Sequence, residues 1–109
     1  MEEITNVPAV YQPYSVLATV PPAQAIILLA SQLPVFYGSE DDDVDRWLLK
    51  VENTAVVHEV NNSIKLLAAT SKLQKLARDW FDMDNGSFMR SWFVFKEALV
   101  RKFTSIFQG

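Results

Sequence analysis

The residues able to do chemistry are few in this chain and lie far apart. Cysteine is absent and His58 is the single histidine, so thiolate zinc sites, iron–sulfur clusters and Cys–His nucleophiles are excluded. The three glycines are too scattered to form a loop that cradles phosphate. A lone histidine is far more often a helix-end residue than a metal ligand. The composition therefore predicts neither a catalytic site nor a metal or other cofactor.

Two acidic clusters resemble cation sites. Residues 40–43 and Asp45 form an acidic run, which the first turn of a helix explains better because the helix dipole favours anions there. Asp82 to Gly86 reads like the start of a calcium-binding loop, which needs an oxygen donor at its fifth position and glutamate at its twelfth. Counted from Asp82, those positions hold Gly86 and Phe93. We expect a metal site at neither cluster.

The composition is that of a small globular domain with one hydrophobic core. Half of the 109 residues are apolar, and the net charge of −3 gives no long-range attraction to nucleic-acid phosphates. Aromatic and basic residues alternate between Arg90 and Phe103, but helical spacing assigns most of the rings to a core rather than to a nucleic-acid surface. The most apolar run, residues 25–30, is far shorter than the roughly 20 residues of a membrane span. We expect no nucleic-acid partner, no membrane span and a cytoplasmic location.

Proline and charge divide the chain into two unlike parts. All five prolines lie before residue 38 together with only two charged residues, whereas residues 39–109 hold every other charge and no proline. Proline removes a backbone donor and disfavours helix in the residue before it. We therefore predict an N-terminal arm over residues 1–38, extended or with one short helix, and a helical bundle over residues 39–107.

Three amphipathic stretches follow one another in the bundle. The first is predicted to begin at Ser39, with Asp42 completing a capping box. The second and third run over about 63–81 and 91–106; the weak helical step at residues 70–71 could divide the second, and Lys65 should face outward. The positions predicted to face the core are Val44, Trp47, Leu48, Val51, Ala55, Leu66, Ala69, Leu73, Leu76, Ala77, Trp80, Phe95, Ala98, Leu99, Phe103 and Ile106. Because each stripe must be buried against another, we predict an all-α protein, a compact helical bundle.

Residues 33–103 also carry an ordered set of motifs. These are residues 33–38 (LPVFYG), 44–48 (VDRWL), 65–69 (KLLAA), 73–81 (LQKLARDWF), 91–99 (SWFVFKEAL) and 101–103 (RKF). In this order and spacing they resemble the N-terminal lobe of the Gag capsid domain of gypsy-type LTR retrotransposons. The same lobe occurs in the domesticated, Arc-like Gag proteins, which derive from such transposable elements.

The resemblance implies a non-enzymatic structural domain, a retroviral-type capsid N-lobe that acts in self-assembly of a capsid-like shell. In Arc-like relatives the lobe resembles a peptide-binding adaptor, whose apolar groove takes short segments containing proline and aromatic residues. The partners would then be further copies of the chain or such peptides. The candidate groove residues are Phe36, Tyr37, Trp47 and Trp80. The second lobe and the zinc knuckle of a full Gag protein lie outside this sequence, so we expect neither their dimerisation nor their nucleic-acid capture here.

The apolar N-terminal arm could fill such a groove from within the chain. Ile26, Leu29, Ala30 and Leu33 have the spacing of a short helix with Pro22 near its start, and alternate residues from 14 to 20 follow the pattern of a strand. We hypothesise that part of residues 7–33 packs intramolecularly. The candidate self-filling residues are Pro13, Tyr14, Ile26 and Leu29. The alternative is a disordered leader, or a surface for neighbouring capsid subunits.

Overall fold

A computed structural model describes residues 20–84 and 86–104, and this part of the chain is all-α, as predicted. Five helices follow one another: α1 (Pro22–Ala30), α2 (Val44–Val57), α3 (Asn62–Thr70), α4 (Lys75–Met83) and α5 (Trp92–Thr104). A short 3₁₀ helix, Ser87–Arg90, precedes α5. Helix α1 packs on α3, and α5 packs on both α2 and α3. Buried side chains from all five helices form one core.

The helix predicted within the N-terminal arm is α1. Pro22 occupies its first turn, where the missing backbone donor costs nothing. Leu29 is fully buried in the core and Ile26 packs half-buried against it, so α1 is held by its apolar face. The strand-like alternation and the candidate plugs Pro13 and Tyr14 lie outside the described residues.

An extended segment, residues 33–38, crosses the bundle after α1; we call it the wedge segment. The Phe36 amide donates to the Lys72 carbonyl (2.9 Å), and the Gln74 amide donates to the Phe36 carbonyl (3.0 Å). The Tyr37 carbonyl then accepts from the amide of Ala77 in the first turn of α4 (3.0 Å). The wedge segment therefore supplies partners to the Lys72 carbonyl and the Gln74 amide of the α3–α4 connection, and a second acceptor to the Ala77 amide, which also donates to the Gln74 carbonyl at 3.1 Å.

The Phe36 side chain carries the wedge segment into the core. Its ring is 1% exposed and lies 5.2 Å from the Trp47 ring and 5.3 Å from the Phe103 ring, centroid to centroid. The Trp47 indole nitrogen donates to the Pro34 carbonyl at 2.7 Å. One phenylalanine thus joins α2 to α5, and the tryptophan beside it anchors the chain that delivers it.

The prediction that the first bundle helix begins at Ser39 is wrong. Helix α2 begins at Val44, with Asp43 as the N-cap, and a turn precedes it. Asp42 does not complete a capping box because its carboxylate accepts the backbone amides of residues 37–38, at 2.8 and 2.9 Å. The Asp42 carboxylate, which the capping-box pattern placed at the start of a helix, therefore binds the backbone of the wedge segment instead.

The predicted break at residues 70–71 is present, and Arg78 bridges it. Helix α3 ends at Thr70 and α4 begins at Lys75. The Arg78 guanidinium donates to the carbonyls of Thr70 (2.6 Å) and Leu73 (3.2 Å) and lies 5.4 Å from the Phe81 ring. Arg78 thus places a cation at the C-terminus of α3, where the helix dipole favours positive charge, and its donors join the last carbonyl of α3 to the connection that follows.

The break also explains why two of the three core positions predicted on α4, Leu76 and Trp80, are wrong, while Ala77 is buried as predicted. Leu76 is 60% exposed, and Trp80 is half-buried rather than a core residue. Helical counting from α3 fails because residues 71–74 are irregular and Lys75 has a φ of +52°, so α4 starts with a new phase. Trp92, which the predicted stripe omitted, is 2% exposed and fills the core instead.

Two further predicted orientations differ from the structure. Lys65 was expected to face outward but is 8% exposed. Its ammonium lies 4.7 Å from the centre of the Trp92 ring and 3.5 Å from a Glu52 oxygen, so its aliphatic stem is buried while its charge is matched. Ala98 is half-buried on α5, and Ile106 lies outside the described residues.

Gly38 tests how tightly the wedge segment is held. Its φ is +78°, and a Cβ there would lie 2.6 Å from Phe103 Cε1 and 3.0 Å from the Ala77 nitrogen. We expect Gly38→Ala to lower the free energy of unfolding by about 2–4 kcal/mol, because positive-φ strain and overpacking add. Denaturant unfolding measures this loss.

Gly86→Ala is the matched control. Gly86 also has a positive φ, +98°, but a Cβ there meets no atom within 4 Å among the described residues. This variant should lose only the strain, about 1 kcal/mol. Equal losses for the two variants would contradict a close approach of Gly38 to Phe103.

Candidate interaction surfaces

Two of the acidic residues that resembled cation sites make local hydrogen bonds. Asp43 caps α2, and Asp84, which follows α4, accepts from the Gly86 and Phe88 amides and the Ser87 hydroxyl. Desolvation alone would raise the pKa of Asp84, but these hydrogen bonds outweigh it and lower the pKa. Within the described ranges, no three His, Asp or Glu side chains lie close enough together to hold a metal ion.

The lone histidine ends a helix. His58 follows the last residue of α2, and its Nε2 lies 2.8 Å from the Gln32 side-chain oxygen. The contact joins the end of α2 to the turn after α1. This contact gives His58 a structural role at the junction of α1 and α2.

The four candidate groove residues are only partly brought together. Phe36 and Trp47 lie side by side in the core, 1% and 5% exposed. The Phe103 ring lies between Trp80 and Phe36. Its centroid is 5.4 Å from the Trp80 ring and 5.3 Å from the Phe36 ring, with edge-on geometry in both cases. Tyr37 points outward, 39% exposed, with the Lys75 ammonium 5.9 Å from its ring. Three of the four candidates, Phe36, Trp47 and Trp80, therefore lie along one aromatic row rather than around one groove, and Tyr37 lies apart from it.

An apolar groove lies at the Trp80 end of this row; we call it the Trp80 groove. Its volume is about 510 Å³. Leu76 and Met83, which are 60% and 86% exposed, form its α4 wall, and Asp79 and Lys102 place one charge of each sign in its lining. The remaining lining residues are Gly38, Trp80 and Phe103. Ile26 and Leu29 lie on α1 and do not line it.

A second depression, about 640 Å³, lies at the Trp47 end. Pro34, Val35, Phe36 and Trp47 give it an apolar floor. Charged side chains line it as well, Asp41, Asp42, Asp43, Arg46 and Lys50. Because Phe36 and Trp47 are almost fully buried, this depression exposes less aromatic surface than the Trp80 groove.

A third groove, about 410 Å³, runs between α2 and α5. Leu49 and Val56 form its outer edge and are 60% and 73% exposed. Lys96 of α5 closes the groove by an ion pair with Glu52 of α2 at 2.6 Å. We call this surface, with its exposed leucine and valine, the α2 face.

Glu52 is the electrostatic centre of the α2 face. Its carboxylate accepts from Lys96 (2.6 Å) and from the Trp92 indole nitrogen (3.4 Å), and lies 3.5 Å from the Lys65 ammonium. Desolvation by itself raises the pKa of Glu52, but the hydrogen bond from Lys96 and the charges of Lys65 and Lys96 prevail and lower it. One carboxylate thus ties α2 to both α3 and α5.

Sequence reasoning missed the exposed apolar residues of these surfaces. Leu49 and Val56 are seven residues apart on the polar side of a helix whose core stripe is complete without them. That spacing was a usable signal, since two turns of helix return a residue to the same side. Met83 gave no comparable signal, because its exposure depends on how α4 is rotated after the break.

No family model, curated protein or solved structure matches this chain. Among the described helices, none has the length and apolar character needed to cross a bilayer. The resemblance to a Gag capsid N-lobe therefore rests on the motifs in residues 33–103.

Glu52→Gln should lower the free energy of unfolding at pH 7 by about 1–3 kcal/mol, because a buried lysine loses its counter-charge. The folded-state pKa of Glu52 is lowered from 4.5. The stabilisation is therefore fully present above pH 4.5 and is lost as the pH falls through the folded value. The difference between variant and parent should shrink over that acidic range in denaturant unfolding.

Glu97→Gln is the control for this measurement. Glu97 pairs with Arg101 at 3.2 Å, but both side chains are more than 70% exposed. An exposed pair contributes little, so the control should change stability by less than about 0.5 kcal/mol. Equal losses in both variants, or a loss for Glu52→Gln that is independent of pH, would contradict the assigned role.

Proposed function

We propose that this chain is a non-enzymatic structural domain, a capsid-type lobe that self-associates into a shell-like assembly. The observation that carries the proposal is exposed apolar side chains on two separate surfaces. Leu49 and Val56 project from the α2 face, while Leu76 and Met83 project from α4. Exposed apolar patches mark interaction surfaces. A shell subunit must contact more than one neighbour, so two such surfaces suit that role.

The order of the motifs supports the same proposal. The Leu-Pro-x-Phe arm of the Gag-type pattern corresponds to the wedge segment, with Phe36 inserted between Trp47 of α2 and Phe103 of α5. Residues 91–103, the last part of the pattern, supply the helix that packs on α2 and α3. The motifs of the resemblance thus coincide with the segments that build the core, and this coincidence supports the proposed assembly function.

Light scattering coupled to size exclusion, at several loading concentrations, tests self-assembly. We expect the mean mass to rise with protein concentration. The rise should be greater at higher salt, because apolar contacts hold the copies together and salt screens the repulsion between chains of net charge −3. A monomer of constant mass at every concentration and salt would contradict the proposal.

The Trp80 groove favours a second candidate function, binding of short peptides that contain proline and aromatic residues. Its exposed apolar walls, Leu76 and Met83, offer contact area to a ring. Asp79 and Lys102 in its lining could bind the polar backbone or charged groups of an extended peptide. This is the adaptor function that the resemblance to Arc-like proteins offers as the alternative.

Residues 7–14 of the chain contain two tyrosines and two prolines, so a labelled peptide of that sequence is a suitable probe. A chain lacking residues 1–19 should bind it, as followed by fluorescence anisotropy, and Met83→Glu should abolish binding. Val57→Glu, at a site 53% exposed on α2, is the control and should bind normally. A peptide with both tyrosines changed to serine should not bind. No binding by the shortened chain, or equal binding of both peptides, would contradict the adaptor function.

A further inference from the structure

The α2 face carries both a ridge and a groove. Leu49 and Val56 stand on the same side of α2, two turns apart, with Asn53 between them. The groove beside them is floored by Leu48, which is 3% exposed, and is bounded by the Glu52–Lys96 ion pair. A surface that carries a ridge beside a groove can pair with a second copy of the same surface, because a two-fold rotation sets the ridge of each copy against the groove of the other.

We propose that the α2 face binds the α2 face of a second copy of the chain, with the two α2 helices antiparallel about a two-fold axis. The inference rests on the proposed self-assembly and deepens it by naming one contact. An axis that passes between residues 52 and 53 places Leu49 of each copy opposite Val56 of the other. The same axis places the Asn53 amide, a donor, opposite the Glu52 carboxylate, an acceptor.

The charges at the two ends of α2 fit this arrangement. Arg46, near the N-terminus of the helix, falls opposite Glu59, which follows its C-terminus, and both are exposed. Each such pair is made twice because the interface is symmetric. Antiparallel helices also bring the positive end of one dipole beside the negative end of the other. A parallel pairing would instead set Arg46 against Arg46.

The size of the face sets the expected strength. The α2 helix has 14 residues and is about 21 Å long. One helix face about 10 Å wide can therefore bury roughly 200 Å² on each copy. A stable complex buries about 800 Å² per partner. Phe93, 68% exposed, lies one turn before Lys96 on α5 and extends the patch. The area still falls short of a permanent dimer, so we expect weak, concentration-dependent association, as suits one contact among several in an assembly.

Sedimentation equilibrium of the full chain tests the contact. Leu49→Glu should weaken self-association at least about tenfold, since a carboxylate cannot be buried opposite valine without cost. Ile27→Glu is the matched control: Ile27 is an exposed aliphatic residue on α1, 68% exposed against 60% for Leu49, and its variant should associate like the parent. Both sites are exposed, so circular dichroism should show both variants folded.

Cysteine cross-linking gives a second readout that does not depend on a destabilising charge. The sequence has no cysteine, so Asn53→Cys places a single thiol next to the proposed axis, where two copies can form a disulfide. Gln24→Cys, exposed on α1, is the control and should not cross-link at the same rate.

The outcomes separate the two claims. Weakened association of Leu49→Glu together with rapid cross-linking of Asn53→Cys supports the interface. If the parent associates but Leu49→Glu associates equally well and Asn53→Cys cross-links no faster than the control, this interface is wrong while self-assembly stands. If the parent is monomeric at every concentration and Asn53→Cys does not cross-link, both the interface and the proposed function fail.

Discussion

The insertion of Phe36 between Trp47 and Phe103 is the contact on which the other features of this domain depend. The Phe36 ring joins α2 to α5. The Phe36 backbone holds the α3–α4 connection through hydrogen bonds with Lys72 and Gln74. A segment without regular structure can occupy the core only if its polar groups are satisfied. The Asp42 carboxylate meets that requirement for the next two amides along the chain. The wedge segment is thus an internal element of the bundle.

This constraint shapes the surfaces where function would lie. Asp43 caps α2, Asp42 accepts two amides of the wedge segment and Asp84 accepts amides of the turn after α4, so local structure accounts for these acidic residues. Phe103 contacts Phe36 on one side and Trp80 on the other, so the core and the Trp80 groove share a wall. Interaction surfaces that share residues with the core are rigid, and rigid surfaces lose little conformational freedom on binding.

The sequence predicted the helices well wherever a local signal was uncontested. Pro22 and the spacing of Leu29 located α1, and the weak step at residues 70–71 located the break. Errors arose where a distant partner decided the outcome. Asp42 was taken by the wedge segment, and Lys65 was drawn inward by Glu52. The prediction that Leu76 is a core residue was wrong because the helical periodicity of 3.6 residues per turn cannot be extended from α3 to α4 across an irregular connection. Of the candidate groove residues, Phe36 and Trp80 contact Phe103 whereas Tyr37 points outward, because a sequence pattern indicates a helix or segment face but not how exposed each side chain is.

Native-state hydrogen exchange of the Phe36 and Gln74 amides tests most directly whether the wedge segment is integral to the fold. These two amides donate the hydrogen bonds that join the segment to the α3–α4 connection, whereas the Ala77 amide also donates to the Gln74 carbonyl and reports on α4 as well. The account predicts that they exchange only through global unfolding, with the same free energy as the buried Val51 amide in the centre of α2. Exchange at a markedly lower free energy than Val51 would show that the segment opens while the helices remain packed, and would contradict the account.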